Sequence, residues 1–147
     1  AAATGRGSRL QGLALSGRAL RTLFAKRVFQ IAGIWGIALI AFAYGAYFFG
    51  GEEWSVYTSH PQYVHGFFLV TLAWQVAFLL IATDPVRYRL LMLAAMLEKF
   101  PFTIVTLLLY AAGDAPASVM AAGLVDAVFG ILFSIAYIVT DEPAEAE

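Results

Sequence analysis

Three ionisable side chains and one amide of this 147-residue chain stand where charge is costly: Glu98, Lys99, Asp126 and Gln75 each interrupt a long apolar run. A charged group at the centre of a bilayer costs about 2.5–3.5 kcal/mol on insertion scales, so such residues turn inward and find partners. Glu98 and Lys99 come about ten positions after Arg89. At about 1.5 Å per helical residue that sets them roughly 14 Å deep, near a bilayer midplane. Asp126 stands eight residues after Ser118, and Gln75 falls at a similar level in another apolar run. One polar layer assembled from three helices is therefore expected. Two carboxylates against one ammonium leave excess negative charge, so Lys99 is expected to pair with Asp126 or Glu98, and the other acid to be neutralised by a proton or a cation. Such a layer can bind a ligand, pass a proton to a lipid-soluble substrate, or only fix helix register.

The surrounding residue types extend the candidate site. Lys99, Thr103, Thr106 and Tyr110 recur at i, i+4, i+7 and i+11 and give one helix a continuous polar face, the best candidate for lining a cavity. Adjacent Glu98 and Lys99 differ by about 100° around that helix and cannot point along one direction. Gly123, Ala127, Gly130 and Ser134 form a small-residue face beside Asp126, with Ala32 and Gly36 as a possible counterpart on the first span. Pro101 removes a backbone donor next to the layer and can kink the helix there. Trp35 and Trp74, with Phe67, Phe68, Phe78, Phe100 and Phe102, are expected to fill a bundle core; alternatively, such faces receive a flat apolar or cationic ligand. The expected ligand-binding set is Trp74, Gln75, Glu98, Lys99, Thr103, Thr106, Tyr110 and Asp126, and no catalytic residue is assigned.

The elements that carry these residues follow from composition. The chain is 61% hydrophobic and 13% charged, with a mean hydropathy of +0.78, against roughly a quarter charged in soluble domains. Crossing a hydrocarbon core takes about 20 apolar residues in a helix, and four runs meet that length: 28–50, 63–83, 90–112 and 118–140. Gly50-Gly51 and Pro61, Asp84-Pro85, and Gly113-Asp114-Ala115-Pro116 separate them. An all-α, transmembrane four-helix bundle with short connections and antiparallel neighbours is expected. Eight of nine basic residues lie before the first run or between the second and third, leaving only Lys99 within a span. Basic residues stay on the cytoplasmic side, so both termini are expected there. Tyr47, Trp54, Tyr57, Tyr63 and Tyr110 would form the belt at the opposite boundary.

The chain divides into a basic amphipathic cytoplasmic segment at 1–27, a transmembrane domain at 28–140 and an acidic cytoplasmic tail at 141–147. Within the first, Leu10, Leu13, Leu20, Leu23 and Phe24 alternate with Arg9, Arg18, Arg21 and Lys26, as in a helix lying on anionic lipid; the alternative is a partly disordered basic tail. No cysteine is present, which excludes disulfides, thiol nucleophiles and cysteine-held metals. His60 and His65, with Glu52 and Glu53 nearby, give only a weak metal pattern, because a spacing of five around Pro61 does not put both rings on one helical face. No metal, haem, nucleotide or other cofactor is expected, and no nucleic-acid partner.

The run Trp74-Gln75, Asp84-Pro85-Val86-Arg87-Tyr88-Arg89, Met92 and Glu98-Lys99 resembles small bacterial four-helix integral membrane proteins of unassigned activity, across about one third of the chain. The resemblance implies a bacterial inner membrane and no reaction. In architecture alone the chain is similar to DoxX-like and to sterol-isomerase or sigma-2-type membrane domains, with no motif of either and no residue role carried over. Three functions remain open. The leading one is a non-enzymatic protein that binds a small apolar or amphipathic ligand, or docks with a membrane-protein partner, through the midplane layer. The others are an enzyme transferring a proton on a lipid-soluble substrate, and an accessory subunit or homo-oligomer whose small-residue faces meet partner helices. Membrane lipids are partners in every case.

Overall fold

A computed structural model describes residues 2–49 and 60–140, with side chains described from residue 15 onward in the first helix. These residues form four α-helices and no strand: α1 (Ala2–Phe49), α2 (Pro61–Thr83), α3 (Leu91–Ala112) and α4 (Ala117–Val139). Each contains a stretch long and apolar enough to cross a membrane. The last three match the expected runs to within two residues. The first differs, being one unbroken helix of 48 residues. No proline interrupts it, and an internal glycine costs a helix only about 1 kcal/mol. At about 1.5 Å per residue it measures roughly 72 Å, more than twice a hydrocarbon core. Beyond the described residues lie Trp54, Tyr57 and the segment 141–147, together with the side chains of Arg9, Leu10 and Leu13.

α1 lies along α2 and α3 along α4, making two antiparallel hairpins. The hairpins meet mainly through α1 and α4, whereas α2 and α3 barely touch although a short turn joins them. The reason lies in where the large and small apolar residues fall. The buried core draws Ala25, Val28, Phe29 and Ala32 from α1, Phe78, Ile81 and Ala82 from α2, Met92 and Ala95 from α3, and Phe133 and Ala136 from α4. All belong to the half of the bundle that holds the α2–α3 turn and its arginines, hereafter the basic end. Alanines let the helices close there around three interlocked rings. Phe29 stacks on Phe133 with centroids 4.2 Å apart, and Phe78 meets Phe133 at 5.0 Å and Phe29 at 6.1 Å. Such aromatic pairs contribute about 0.5–1.5 kcal/mol beyond their buried area. Arg89 ties the turn to α4, its Nε donating to the Tyr137 carbonyl at 3.0 Å and its guanidinium lying 3.8 Å over that ring.

At the opposite end α3 stops at Gly113, which takes φ +82°. This left-handed residue lets its own N–H reach the Tyr110 carbonyl at 3.1 Å and the Asp114 N–H reach that of Leu109 at 2.9 Å. A Cβ at Gly113 would meet nothing within 4 Å, so the cost of a side chain there is conformational. Gly113→Ala is expected to destabilise by about 1 kcal/mol. Gly45, in the last turns of α1 and equally open, gives the control, because Gly45→Ala is expected to stabilise by about 0.5–1 kcal/mol. Thermal unfolding followed by circular dichroism in detergent checks both signs.

Candidate functional site

Away from the basic end the two hairpins diverge, and between them lies a cleft of about 790 Å³. All four helices line it. α1 supplies residues from Ala32 to Ala43, α2 from Gly66 to Gln75, α3 Glu98, Lys99 and Phe102, and α4 residues from Ser118 to Phe129. The wall is chiefly aliphatic and aromatic; its polar groups gather where the cleft meets the packed half.

The centre of that polar group is Lys99. Its Nζ lies 3.0 Å from Asp126 Oδ1, across α3 and α4, and 3.0 Å from Oε2 of neighbouring Glu98. It donates hydrogen bonds to Asp126 Oδ1 and, at 3.4 Å, to Glu98 Oε1. Glu98 Oε2 is buried and accepts no hydrogen bond, so its short approach to the ammonium is Coulombic contact at an unfavourable hydrogen-bond angle. The Lys99 side chain keeps 8% of its surface exposed, against 16% for Glu98 and 19% for Asp126. Lysine therefore forms the buried hub, and the two carboxylates remain partly open to the cleft. The ammonium also sits 5.4 Å from the Phe78 ring centroid, so the polar cluster rests directly on the aromatic core. Although consecutive residues leave a helix about 100° apart, the long stems of Glu98 and Lys99 curl toward one point, and Lys99 pairs with both acids.

Gln75 faces the cleft from α2 at 2% exposure, its Nε2 donating to the Thr71 carbonyl at 3.1 Å. Two glycines of α1 make its place. A Cβ at Gly36 would collide with the Gln75 carboxamide, and one at Gly33 would stand 3.0 Å from the Gln75 carbonyl and 2.8 Å from Leu79. Gly36 thus faces α2, and the small-residue face of α4 packs against α3 instead of α1. Thr106 lies over Gly123, the Phe100 ring over Gly130, and Ser134 donates to Met96 Sδ at 3.0 Å.

Thr103 and Thr106 of the polar stripe on α3 are satisfied at that same seam. Thr103 Oγ1 donates to the Gly123 carbonyl at 2.9 Å and the Lys99 carbonyl at 3.1 Å, and Thr106 Oγ1 donates to the carbonyls of Phe102 and Thr103. Thr103, Thr106 and exposed Tyr110 lie outside the cleft lining. Of the expected binding set, Trp74, Gln75, Glu98, Lys99 and Asp126 come together. The physical reason is satisfaction: a buried hydroxyl whose donor is taken by a backbone carbonyl, across the helix contact for Thr103 and within α3 for Thr106, has no need of a cavity.

The aromatics divide likewise. Phe68 and Phe78 are buried, but Trp35 remains 50% exposed and Phe67 is also half-exposed; both line the cleft. Residues of α4 around Asp126 complete the wall, notably Ala122 and Phe129 at i−4 and i+3, a helical spacing that was readable in the sequence. The bond from Tyr44 to His65 had no such signal. Tyr44 Oη lies 2.6 Å from His65 Nδ1, across 21 residues, among the rings of Tyr47, Phe48 and Phe68. Among the described residues no three histidine or carboxylate side chains converge as metal ligands; Glu52 and Glu53 lie outside those residues.

No protein-family model, curated protein or solved structure matches the chain.

Proposed function

We propose that this chain is an integral membrane protein, with both ends in the cytoplasm of a bacterial inner membrane, whose cleft binds one small, largely apolar ligand by a polar end. The observation that carries the reading is the meeting of a cleft of about 790 Å³ with the Glu98–Lys99–Asp126 cluster at its floor. Pockets for small organic molecules run to about 300–1,000 Å³, mostly apolar with a few converging polar groups. A register-fixing ion pair needs no such space beside it. The small-residue faces that could have met partner helices are occupied within the chain, Gly36 by α2 and Gly123 and Gly130 by α3, which weighs for a ligand over an accessory-subunit role.

Native mass spectrometry of the protein released from its own lipid tests this. Wild type is expected to carry a small molecule of defined mass. Ala122→Phe, which fills the cleft, and Glu98→Gln or Asp126→Asn, which remove a polar anchor, are expected to lower its occupancy at least about tenfold while the helix content is kept. Full occupancy in all three variants would show that the cleft is the wrong place.

A second reading keeps the same site and adds proton transfer to a lipid-soluble substrate, with one carboxyl as acid and Lys99 or the other carboxylate as its partner. What favours it is that both carboxylates remain partly open to the cleft. A recovered ligand that Glu98→Gln binds but no longer interconverts with a proton isomer would mark the enzyme.

A further inference from the structure

Two acidic side chains stand against one basic one at the cleft floor, and the surplus acid selects a ligand. Glu98, Lys99 and Asp126 are the charged residues among those lining the cleft, so two carboxylates face one ammonium. Lys99 donates to one oxygen of each acid, Asp126 Oδ1 and Glu98 Oε1. Glu98 Oε2 accepts no hydrogen bond although it lies 3.0 Å from the same ammonium, and the α2 and α1 walls opposite contribute neutral Gln75, Thr71, Trp74 and Trp35. Two mostly buried carboxylates that share one ammonium recover only part of their desolvation cost, and that cost is greater for a carboxylate than for a neutral group.

We infer that the polar end of the ligand is a cationic hydrogen-bond donor, of the alkylammonium class, which the Glu98 and Asp126 carboxylates accept on the side they leave open to the cleft while its apolar body lies along Trp35, Trp74, Phe102 and Phe129. The inference rests on the ligand-binding reading and deepens it by naming the head group. An anionic head meets two carboxylates at the floor and is repelled. A neutral alcohol can donate one hydrogen bond but leaves the excess charge in place. An ammonium does both, and the faces of neighbouring aromatic rings add cation–π attraction. Lys99 is not a competitor for this place, since its ammonium is held 3.0 Å from each carboxylate and cannot leave without unpairing both.

A matched series of probes tests the head group alone: 4-(4-bromophenyl)butylamine, the corresponding butanol and the corresponding butanoate. Each is titrated against the full chain in phosphatidylcholine nanodiscs, with concentrations expressed per lipid so that partitioning is common to all. Bromine quenches tryptophan on contact, and Trp35 and Trp74 line the cleft; Trp54→Phe silences the third tryptophan. Quenching that saturates in this background and disappears on adding Ala122→Phe reports the cleft. The amine is expected to bind about tenfold or more tightly than the alcohol, as for one charge-assisted hydrogen bond, with no saturable quenching by the butanoate. In Asp126→Asn, where Glu98 and Lys99 balance, the amine's advantage should vanish while the alcohol binds as before. An alcohol that equals the amine in the wild-type cleft, or a butanoate that binds best, overturns the inference and leaves the ligand-binding reading standing. Should none of the three give quenching that Ala122→Phe removes, the binding reading fails and takes the head-group assignment with it.

Discussion

Lys99→Met is expected to cost the folded state about 3 kcal/mol, the largest loss of any single change at the cleft floor. Methionine matches the lysine stem in length, so packing against Phe78 survives, and what disappears is the positive hub between Glu98 and Asp126. The two carboxylates are then left mostly buried beside each other with no cation. Removing one member of a buried pair costs about 3–5 kcal/mol, and the lower end applies because both acids keep some surface in the cleft. Asp126→Asn should cost less, since Lys99 still has Glu98. The decisive variant is the triple change Glu98→Gln, Lys99→Met and Asp126→Asn. Three charges brought out of water return little net stability even when well paired, so the neutral layer should recover most of the loss. Unfolding in mixed micelles by increasing dodecyl sulfate, followed by circular dichroism, ranks the four proteins. If Lys99→Met unfolds at the wild-type midpoint, the cluster is effectively solvated and its buried character is disproved.

Gly123→Ala is expected to destabilise by about 1–3 kcal/mol, which is large for the addition of one methyl group. Its Cβ would overlap the Thr106 hydroxyl and stand 3.0 Å from the Thr106 Cβ, so that side chain stands in the way, while the Thr103 Cα at 3.6 Å is in ordinary contact. Pushing the helices apart also stretches the 2.9 Å bond from Thr103 to the Gly123 carbonyl. Gly130→Ala is the milder comparison, because what it meets, at 2.8 Å, is the edge of the Phe100 ring, which can swing aside. Thr106→Ala removes the obstructing hydroxyl, and the double variant Gly123→Ala with Thr106→Ala should be more stable than Gly123→Ala alone. A double-mutant cycle on the same unfolding assay reads this coupling. Additive effects within about 0.5 kcal/mol would show that the two residues do not touch.

The positions of α2, α3 and α4 were legible because a membrane-length apolar run bounded by Gly, Pro and Asp has few alternative readings. So was the convergence of Gln75, Glu98, Lys99 and Asp126, since depth along a helix follows from counting residues. Which way each polar face turns was not legible. Thr103 and Thr106 share a face with Lys99, yet Thr103 is spent on the Gly123 carbonyl across the α4 seam and Thr106 on carbonyls of its own helix beneath Gly123, and only the distance between two helices decides between a seam and a cavity wall. Gly36 was read as a complement to α4, but the neighbour it accommodates is Gln75, a long polar side chain that needs the room a missing Cβ provides. The extent of α1 was missed for a different reason. Its apolar run begins near residue 28, but helix extends on the N-terminal side wherever no residue forbids it, and hydropathy reports lipid contact, not backbone conformation.

Among the described residues the rings of Phe29, Phe78 and Phe133 lock the hairpins together at the basic end, so mechanically the described helices resemble a pair of tweezers with the fulcrum beside the ion cluster. Rotating one arm by a few degrees moves the tips by ångströms and the region next to the pivot hardly at all. Lys99, resting on Phe78, would therefore stay fixed under any change in the width of the mouth. Molecules of different bulk can be gripped by the same end, so selectivity should be strict for the head group and tolerant of the body.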